Sequence, residues 1–119
     1  MTGTQLLKGI LPTIVLAAIN GGDLYGYRIV QRLRDAGLVE VGDASVYGTL
    51  QRLYAEGQVS TQLDTSGGGP PRKCYSLTAQ GASTLKTGRE EWRSFQSAVQ
   101  ALVVDGVVDG VVDGQESVQ

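Results

Sequence analysis

The chain contains no histidine, and Cys74 is the only cysteine among its 119 residues. These absences exclude a Cys/His zinc site, a Ser-His-Asp triad and a disulfide within the chain. Carboxylates cluster only near the C-terminus, so we expect no metal, no cofactor and no enzymatic activity. A single free cysteine fits the reducing cytoplasm, where Cys74 would act as a small packed residue and not as a redox sensor.

Positive charge is scarce and unevenly distributed. The net charge is −2, but residues 104–119 carry four acidic side chains and no cation, which leaves ten Lys and Arg against eight Asp and Glu in residues 1–103. This small excess favours a protein that binds DNA at specific sites over a nonspecific, chromatin-type binder. Six cations are candidates for one phosphate-facing surface: Arg28, Arg32, Arg34, Arg52, Arg72 and Lys73.

The C-terminal residues repeat a four-residue unit. Val-Val-Asp-Gly occurs three times between residues 103 and 114, and this period matches neither an α-helix nor a β-strand. Asp-Gly pairs favour turns, so we expect residues 104–119 to form a disordered acidic tail. The unit differs from calcium-binding nonapeptide repeats and does not indicate a metal site.

One short segment has the pattern of an amphipathic helix with two different faces. Between Asp43, a candidate N-cap, and Gly57, a candidate C′ residue, Val46, Leu50 and Leu53 recur at helical spacing and form an apolar stripe. The helix would span about four turns, a length that fits a major groove. An ordinary surface helix would show the same pattern. The opposite face is predicted to contain Ser45, Gly48, Thr49 and Arg52.

A β-hairpin with a loose, basic tip is predicted directly after this helix. Residues 59–64 and 72–77 alternate in the manner of strands, and residues 65–71 between them are rich in turn-forming types. Arg72 and Lys73 begin the second strand, beside glycines that let the backbone approach a phosphate or a minor groove closely. The alternative is a solvated basic turn. The position of the hairpin after a helix with a polar face favours nucleic-acid binding.

The apolar stretch Ile10–Ile19 admits two interpretations. Its length suits the core of a signal peptide, but the one preceding lysine and the loss of a helix on cleavage argue against secretion. The stretch is also too short to span a bilayer, so no membrane partner is expected. As a helix, it has Pro12 in the first turn, and Asn20 with two glycines ends it.

The helix that follows is expected to have Asp23 as its N-cap and Gly37 at its end. Tyr25 is expected to pack in the core, whereas Tyr27 is equally compatible with packing and with a phosphate contact. The predicted inward face consists of Ile29, Val30 and Leu33.

The last helix, residues 79–103, carries a seam with heptad spacing. Thr78 is its expected N-cap, and the 3, 4, 3, 4, 3 spacing of small and apolar residues is the pattern by which helices pair. Burying Trp92 and Phe95 against a second copy would contribute several kcal/mol per protomer at ~25 cal/mol per Å². Packing of the helix on its own chain is the alternative. The seam comprises Leu85, Gly88, Trp92, Phe95, Val99 and Leu102, and all of these except the glycine are the predicted dimer interface.

Trp92 is the only tryptophan in the chain and shares the seam with the small Gly88. Two such helices would leave a gap between paired indoles, open to a flat aromatic or cationic ligand. The competing interpretation is that Trp92 only packs the interface.

Taken together, these motifs closely resemble the PadR family of winged-helix transcriptional regulators, in a form with a short C-terminal segment. The resemblance covers roughly residues 5–103. Gly48 and Cys74 depart from it, since the family commonly has proline and a bulky residue there. The matching segments are Leu24–Ile29, Ser45–Leu50, Arg52–Leu53, Glu56–Gly57, Gly69–Thr78 and Gly81.

The resemblance implies an α+β, mostly α fold: a winged helix-turn-helix over residues 1–78 and a dimerisation helix over residues 79–103. It also implies a homodimer that binds a pseudo-palindromic operator in double-stranded DNA. We expect this homodimer to be a repressor that a small aromatic or cationic ligand releases. A winged-helix adaptor that binds protein instead of DNA is the alternative. The DNA-contacting residues would be Arg28, Ser45, Tyr47, Thr49, Arg52, Arg72 and Lys73.

Overall fold

The computed structural model describes residues 8–22 and 24–106. Helices dominate these residues, and a small antiparallel sheet accompanies them, so the mostly helical α+β class is confirmed. Asp23 and residues 107–119, which include most of the predicted tail, lie outside the described residues. The elements in chain order are α1 (Leu11–Ile19), β1 (Leu24–Tyr25), α2 (Gly26–Asp35), α3 (Asp43–Ala55), β2 (Val59–Asp64), β3 (Arg72–Leu77), α4 (Ala79–Val99) and a π-helical segment (Gln100–Val104).

The first helix has the predicted bounds, but the second begins later than predicted. Pro12 lies in the first turn of α1, and the backbone after Asn20 turns through Gly21 at φ +97°. The N-cap of α2 is Tyr25, with extended backbone, so the prediction that Asp23 caps this helix is wrong. The intervening two-residue strand β1 is too short to produce a periodicity that a sequence could reveal.

The predicted C-terminal signal of α3 is confirmed, whereas its predicted N-cap is wrong. Gly42 is the N-cap, and Asp43 is the first helical residue, whose carboxylate accepts a hydrogen bond from the Arg34 guanidinium at 2.6 Å. At the other end Gly57 adopts φ +76°, and the Gln58 amide donates to a carbonyl five residues earlier at 2.8 Å. This is the Schellman geometry that favours glycine at C′.

The sheet has the strand order β1-β3-β2, with both pairs antiparallel. The bounds of β2 and β3 are the predicted ones. Tyr25 pairs with Cys74, and the β2–β3 register runs from Val59 opposite Leu77 to Asp64 opposite Arg72. We call this hairpin, residues 59–77, the wing.

The core lies between the first three helices and the sheet, and it includes one residue of α4. Leu85 is only 2 % exposed and belongs to this core, so its assignment to a dimer interface is wrong. The chain divides into two compact units between Lys86 and Thr87, within α4, whereas the sequence suggested a division after residue 78. The buried apolar residues are Val15, Leu16, Ile19, Ile29, Val30, Leu33, Val41, Val46, Leu50, Leu53, Val59, Tyr75 and Leu85.

The start of α4 is joined closely to the end of α3. The Thr78 hydroxyl accepts the Gly81 amide at 3.0 Å, which confirms Thr78 as the N-cap, and it donates to the Gly57 carbonyl at 2.6 Å. Gly81 is buried here, and a Cβ on it would stand 1.9 Å from the Gln58 carbonyl oxygen. A glycine is therefore required sterically at this junction.

We expect Gly81→Ala to lower the free energy of unfolding by about 1–3 kcal/mol, because the backbone must shift to admit the methyl group. Gly48→Ala is the matched control. Gly48 lies inside α3, and apart from its chain neighbours and the adjoining helix backbone no atom is within 4 Å of an added Cβ, so this change should stabilise the protein by about 0.5–1 kcal/mol. Urea unfolding monitored by circular dichroism measures both, and equal stability of Gly81→Ala and the wild type would contradict the packing described.

Candidate nucleic-acid interface

The exposed face of α3 differs in one respect from the face predicted. Thr49 is 7 % exposed, and its hydroxyl donates a hydrogen bond to the Ser45 carbonyl at 2.8 Å. It lies at the edge of the buried stripe and is not available to bases, so its assignment as a DNA contact is wrong. Ser45, Gly48 and Arg52 are exposed, as predicted.

With Thr49 buried, the middle of the exposed face shifts along the helix. Ala44, Gly48, Gln51 and Ala55 are all exposed and lie opposite the buried stripe, since residues three and four apart share one face. We call these four residues the central strip. Of its members, the sequence analysis placed only Gly48 on the exposed face, although the spacing of the apolar stripe was sufficient to locate the other three.

Two further pairs of exposed residues border the central strip of α3. Ser45 and Arg52 lie on one side, and Tyr47 and Tyr54 lie on the other. Together with the strip, they give α3 a surface of small, polar and aromatic side chains.

Tyr47 connects α3 to the start of α2. A Cβ at the buried Gly26 would stand 2.5 Å from Cε1 of the Tyr47 ring, so the absence of a side chain there makes room for the ring. The Tyr47 side chain nevertheless remains 40 % exposed. It therefore has both a packed ring and accessible surface at the edge of the candidate interface.

The arginines of α2 have different partners and do not form the shared surface considered above. Arg32 donates to the Ala18 carbonyl at 2.7 Å, and Arg34 pairs with Asp43 at 2.6 Å. Both thereby connect helices of the core unit. Arg28 is exposed, and within the described residues it donates a hydrogen bond only to Gln31, one turn along its own helix, at 3.1 Å, so it remains the α2 arginine best suited to a phosphate.

At the wing, Arg72 and Lys73 are both exposed, but Arg72 is held against the protein. Its guanidinium lies 4.5 Å from the centre of the Tyr25 ring, within the range of a cation–π interaction. Asp64 is directly opposite Arg72 in the hairpin, and its carboxylate accepts a hydrogen bond from the Tyr25 hydroxyl. We call Tyr25, Asp64 and Arg72 the wing clamp.

Hydrogen bonds at the wing clamp favour the ionised form of Asp64 and the neutral form of Tyr25. The Asp64 carboxylate accepts from the Ser66 hydroxyl at 2.6 Å and the Ser66 amide at 2.9 Å, and these bonds with the one from Tyr25 lower its pKa to about 2. The bond to Asp64 also raises the pKa of Tyr25. At neutral pH the clamp thus combines a carboxylate, a neutral phenol and a guanidinium.

The sequence did not reveal the clamp, because it depends on β1. Tyr25 is half-buried beside β3 and contacts the wing, where the sequence had suggested that it packs in the core. No periodic signal marks a strand of two residues, so the pairing that brings Tyr25 to Arg72 could not be foreseen.

The second compact unit carries the predicted seam from Gly88 onward, and the large apolar members of this part are exposed. Trp92 is 42 % exposed, and the Trp92 and Phe95 rings lie 6.2 Å apart at an interplanar angle of 41°. Val99 and Leu102 are also exposed. Leu102 falls in the π-helical segment and not in α4, so the regular α-helical repeat that the heptad spacing assumes ends before it.

Among residues 8–22 and 24–106, no group of three or more His, Cys, Asp or Glu side chains is arranged to hold a metal ion. Within the same residues, no helix combines the length and the apolar character needed to cross a bilayer.

Residues 15–87 match the model of the transcriptional regulator PadR-like family, and the chain belongs to that family. A PadR-like transcriptional regulator from Bacillus cereus is 31 % identical, with coverage of 84 % of this chain and 97 % of that one and a TM-score of 0.76. A Streptococcus transcriptional regulator is 33 % identical, with coverage of 82 % and 96 % and a TM-score of 0.73.

Bacillus subtilis PadR, solved in complex with operator DNA, shares the fold at 24 % identity. Its TM-score is 0.60, and the match covers 66 % of this chain and 45 % of the other. The predicted family and winged-helix fold are thus confirmed. Family membership identifies the chain as a transcriptional regulator and not an enzyme.

We expect Tyr25→Phe to raise the pKa of Asp64, because the variant loses the hydroxyl that donates to the carboxylate but keeps the ring under Arg72. Carboxyl NMR shifts recorded through an acid titration measure this pKa. Tyr27→Phe, which removes a hydroxyl from the neighbouring exposed tyrosine, should leave it unchanged. Equal Asp64 pKa values in wild type and Tyr25→Phe would contradict the clamp.

The lowered pKa also sets a pH dependence. Because Asp64 titrates at about 2 in the folded chain, below its ordinary 3.8, its ionised form stabilises the folded state above about pH 4, and this contribution disappears as pH falls towards 2. The stability difference between wild type and Asp64→Asn should therefore be constant above about pH 5 and shrink below pH 4. A difference that does not change with pH would contradict the assignment.

Proposed function

We propose that this chain is a homodimeric repressor that places α3 in the major groove of a pseudo-palindromic operator. The observation that carries the proposal is the composition of the outward face of α3. The central strip has small side chains and one amide, and Ser45 and Arg52 border it, so the face suits groove contacts. A protein-binding adaptor would instead need a continuous apolar patch on this face.

The other cations fit positioning roles on the DNA backbone. Lys73 is exposed at the start of β3, beside a wing tip that contains Gly67, Gly68 and Gly69. Arg28 is exposed in the first turn of α2. Contacts of this kind fix register without reading sequence. Arg72 is proposed to contribute its charge while the clamp holds its position.

Dimerisation is supported by the apolar surface of α4 in the second unit. Trp92, Phe95 and Val99 are exposed at heptad spacing, and burying them against a second copy would remove that surface from water. Two protomers would then present their α3 helices to major grooves one turn apart, about 34–36 Å. Occupancy of such an operator would exclude other proteins from the same DNA, and this is the proposed basis of repression. The partner is chromosomal, so the proposal also places the protein in the cytoplasm.

Arg52→Ala should weaken specific binding by about 1–3 kcal/mol, whereas Lys73→Ala should weaken binding to all sequences alike and reduce the salt slope by roughly 0.9. Gel-shift titrations at several salt concentrations, with operator and nonspecific duplexes, separate the two effects. Lys86→Ala removes an exposed cation from α4 and serves as the charge-matched control. Unchanged affinity in both test variants would contradict the DNA-binding proposal.

Replacing Phe95 and Val99 by glutamate should dissociate the dimer, since unpaired charge in an apolar interface costs several kcal/mol. Operator affinity should fall with it, because one half-site offers fewer contacts. Ser94→Glu with Ser97→Glu adds the same charge to the opposite side of α4 and should leave the dimer intact. Sedimentation that shows a dimer for the Phe95 and Val99 variant would place the interface elsewhere.

We also propose that Trp92 binds the small ligand that releases the repressor. The partly exposed indole, tilted against the Phe95 ring, offers an aromatic surface to a flat aromatic or cationic molecule. Binding would change operator affinity through a coupling that is typically about 1–3 kcal/mol.

Planar cationic dyes should quench the fluorescence of Trp92, the sole indole, and lower operator affinity in the wild type. In Trp92→Leu, the same dyes should leave operator affinity unchanged, while the apolar side chain preserves the seam. If no dye in a diverse panel quenches the fluorescence, the proposal that Trp92 binds a ligand would be contradicted, and Trp92 would serve only in packing.

A further inference from the structure

The central strip of α3 concentrates base recognition on one side chain. Its members Ala44, Gly48 and Ala55 have no atoms beyond Cβ. Gln51 is therefore the only residue of the strip with hydrogen-bonding groups in its side chain. Since the strip lies opposite the buried stripe, it is the part of α3 that would enter a groove most deeply.

The small neighbours also determine how closely α3 can approach DNA. Gly48 and Ala44 precede Gln51 on the same line, one and two turns respectively towards the helix N-terminus. Without bulky side chains there, the backbone of α3 can lie near the groove floor, and the Gln51 amide can reach base edges. The Gln51 side chain makes no hydrogen bond within the described part of the chain, so binding breaks no internal contact of this amide.

The chemistry of Gln51 selects one base. A side-chain amide offers a donor and an acceptor together, and this pair matches N7 and the N6 amino group of adenine in the major groove. The bordering side chains lack this selectivity, since serine contacts any base and arginine pairs with guanine or with phosphate.

We propose that Gln51 specifies an adenine at one position in each operator half-site. This inference rests on the proposed binding of α3 to DNA, and it goes beyond that proposal by assigning the residue and the base. The adenine at that position should be favoured over other bases by roughly 5- to 150-fold in affinity.

Selection from a library of randomised duplexes tests the inference. The wild type should select one adenine per half-site that Gln51→Arg replaces with guanine and Gln51→Glu replaces with cytosine, with the other positions unchanged. Gln80→Arg adds the same charge as Gln51→Arg at an exposed position on α4, and it should keep the wild-type consensus.

Three outcomes would overturn the inference, and they are distinguishable. If the wild type and Gln51→Arg select the same consensus, DNA reading by the protein stands and Gln51 is not its adenine reader. If the wild type selects no consensus at all, the proposed function fails together with the inference. A preference that changes at several unrelated positions in Gln51→Arg would also overturn it, since one bidentate side chain addresses one base pair.

Discussion

Burial of one side of α3 is the constraint on which the candidate interface depends. Val46 and Leu50 are fully buried and Leu53 nearly so, and they pack among residues of the other helices and the sheet. Rotation of α3 about its axis would expose this stripe to water, so the core fixes which residues face outward. Thr49 joins the buried side by bonding to the helix backbone. The core thereby selects the central strip, and with it the chemistry offered to a groove.

The wing depends on a different kind of interaction. The base of the wing is held by the wing clamp. In it, the Tyr25 ring, the Asp64 carboxylate and the Arg72 guanidinium, one from each strand, lie together at one end of the sheet. One of the two wing cations, Arg72, is thereby engaged with the protein, while Lys73 extends from the adjacent position. Two neighbouring cations of similar charge consequently have different roles, and only the three-dimensional pairing distinguishes them.

The sequence was sufficient to predict those structural features that depend on residues close together in the chain. Alternation and turn residues located β2 and β3 to the residue, and Pro12, Gly57 and Thr78 marked helix ends through their backbone preferences. Features that depend on pairing between distant segments were missed. Tyr25 and Asp64 meet only because β1 pairs with β3, and Leu85 is buried because the core extends into α4. Thr49 was assigned wrongly because the predicted polar face of α3 was centred too close to the buried stripe and so included a residue at the edge of that stripe.

The proposed function depends on contact between the outward face of α3 and DNA. NMR spectra of the 15N-labelled protein, recorded with and without a selected operator duplex, test it most directly. We expect the largest amide shift changes at Ala44, Ser45, Gly48, Gln51 and Arg52, with further changes at Lys73 and the glycines of the wing tip. Changes confined to α4, with the α3 amides unaffected by saturating duplex, would contradict it.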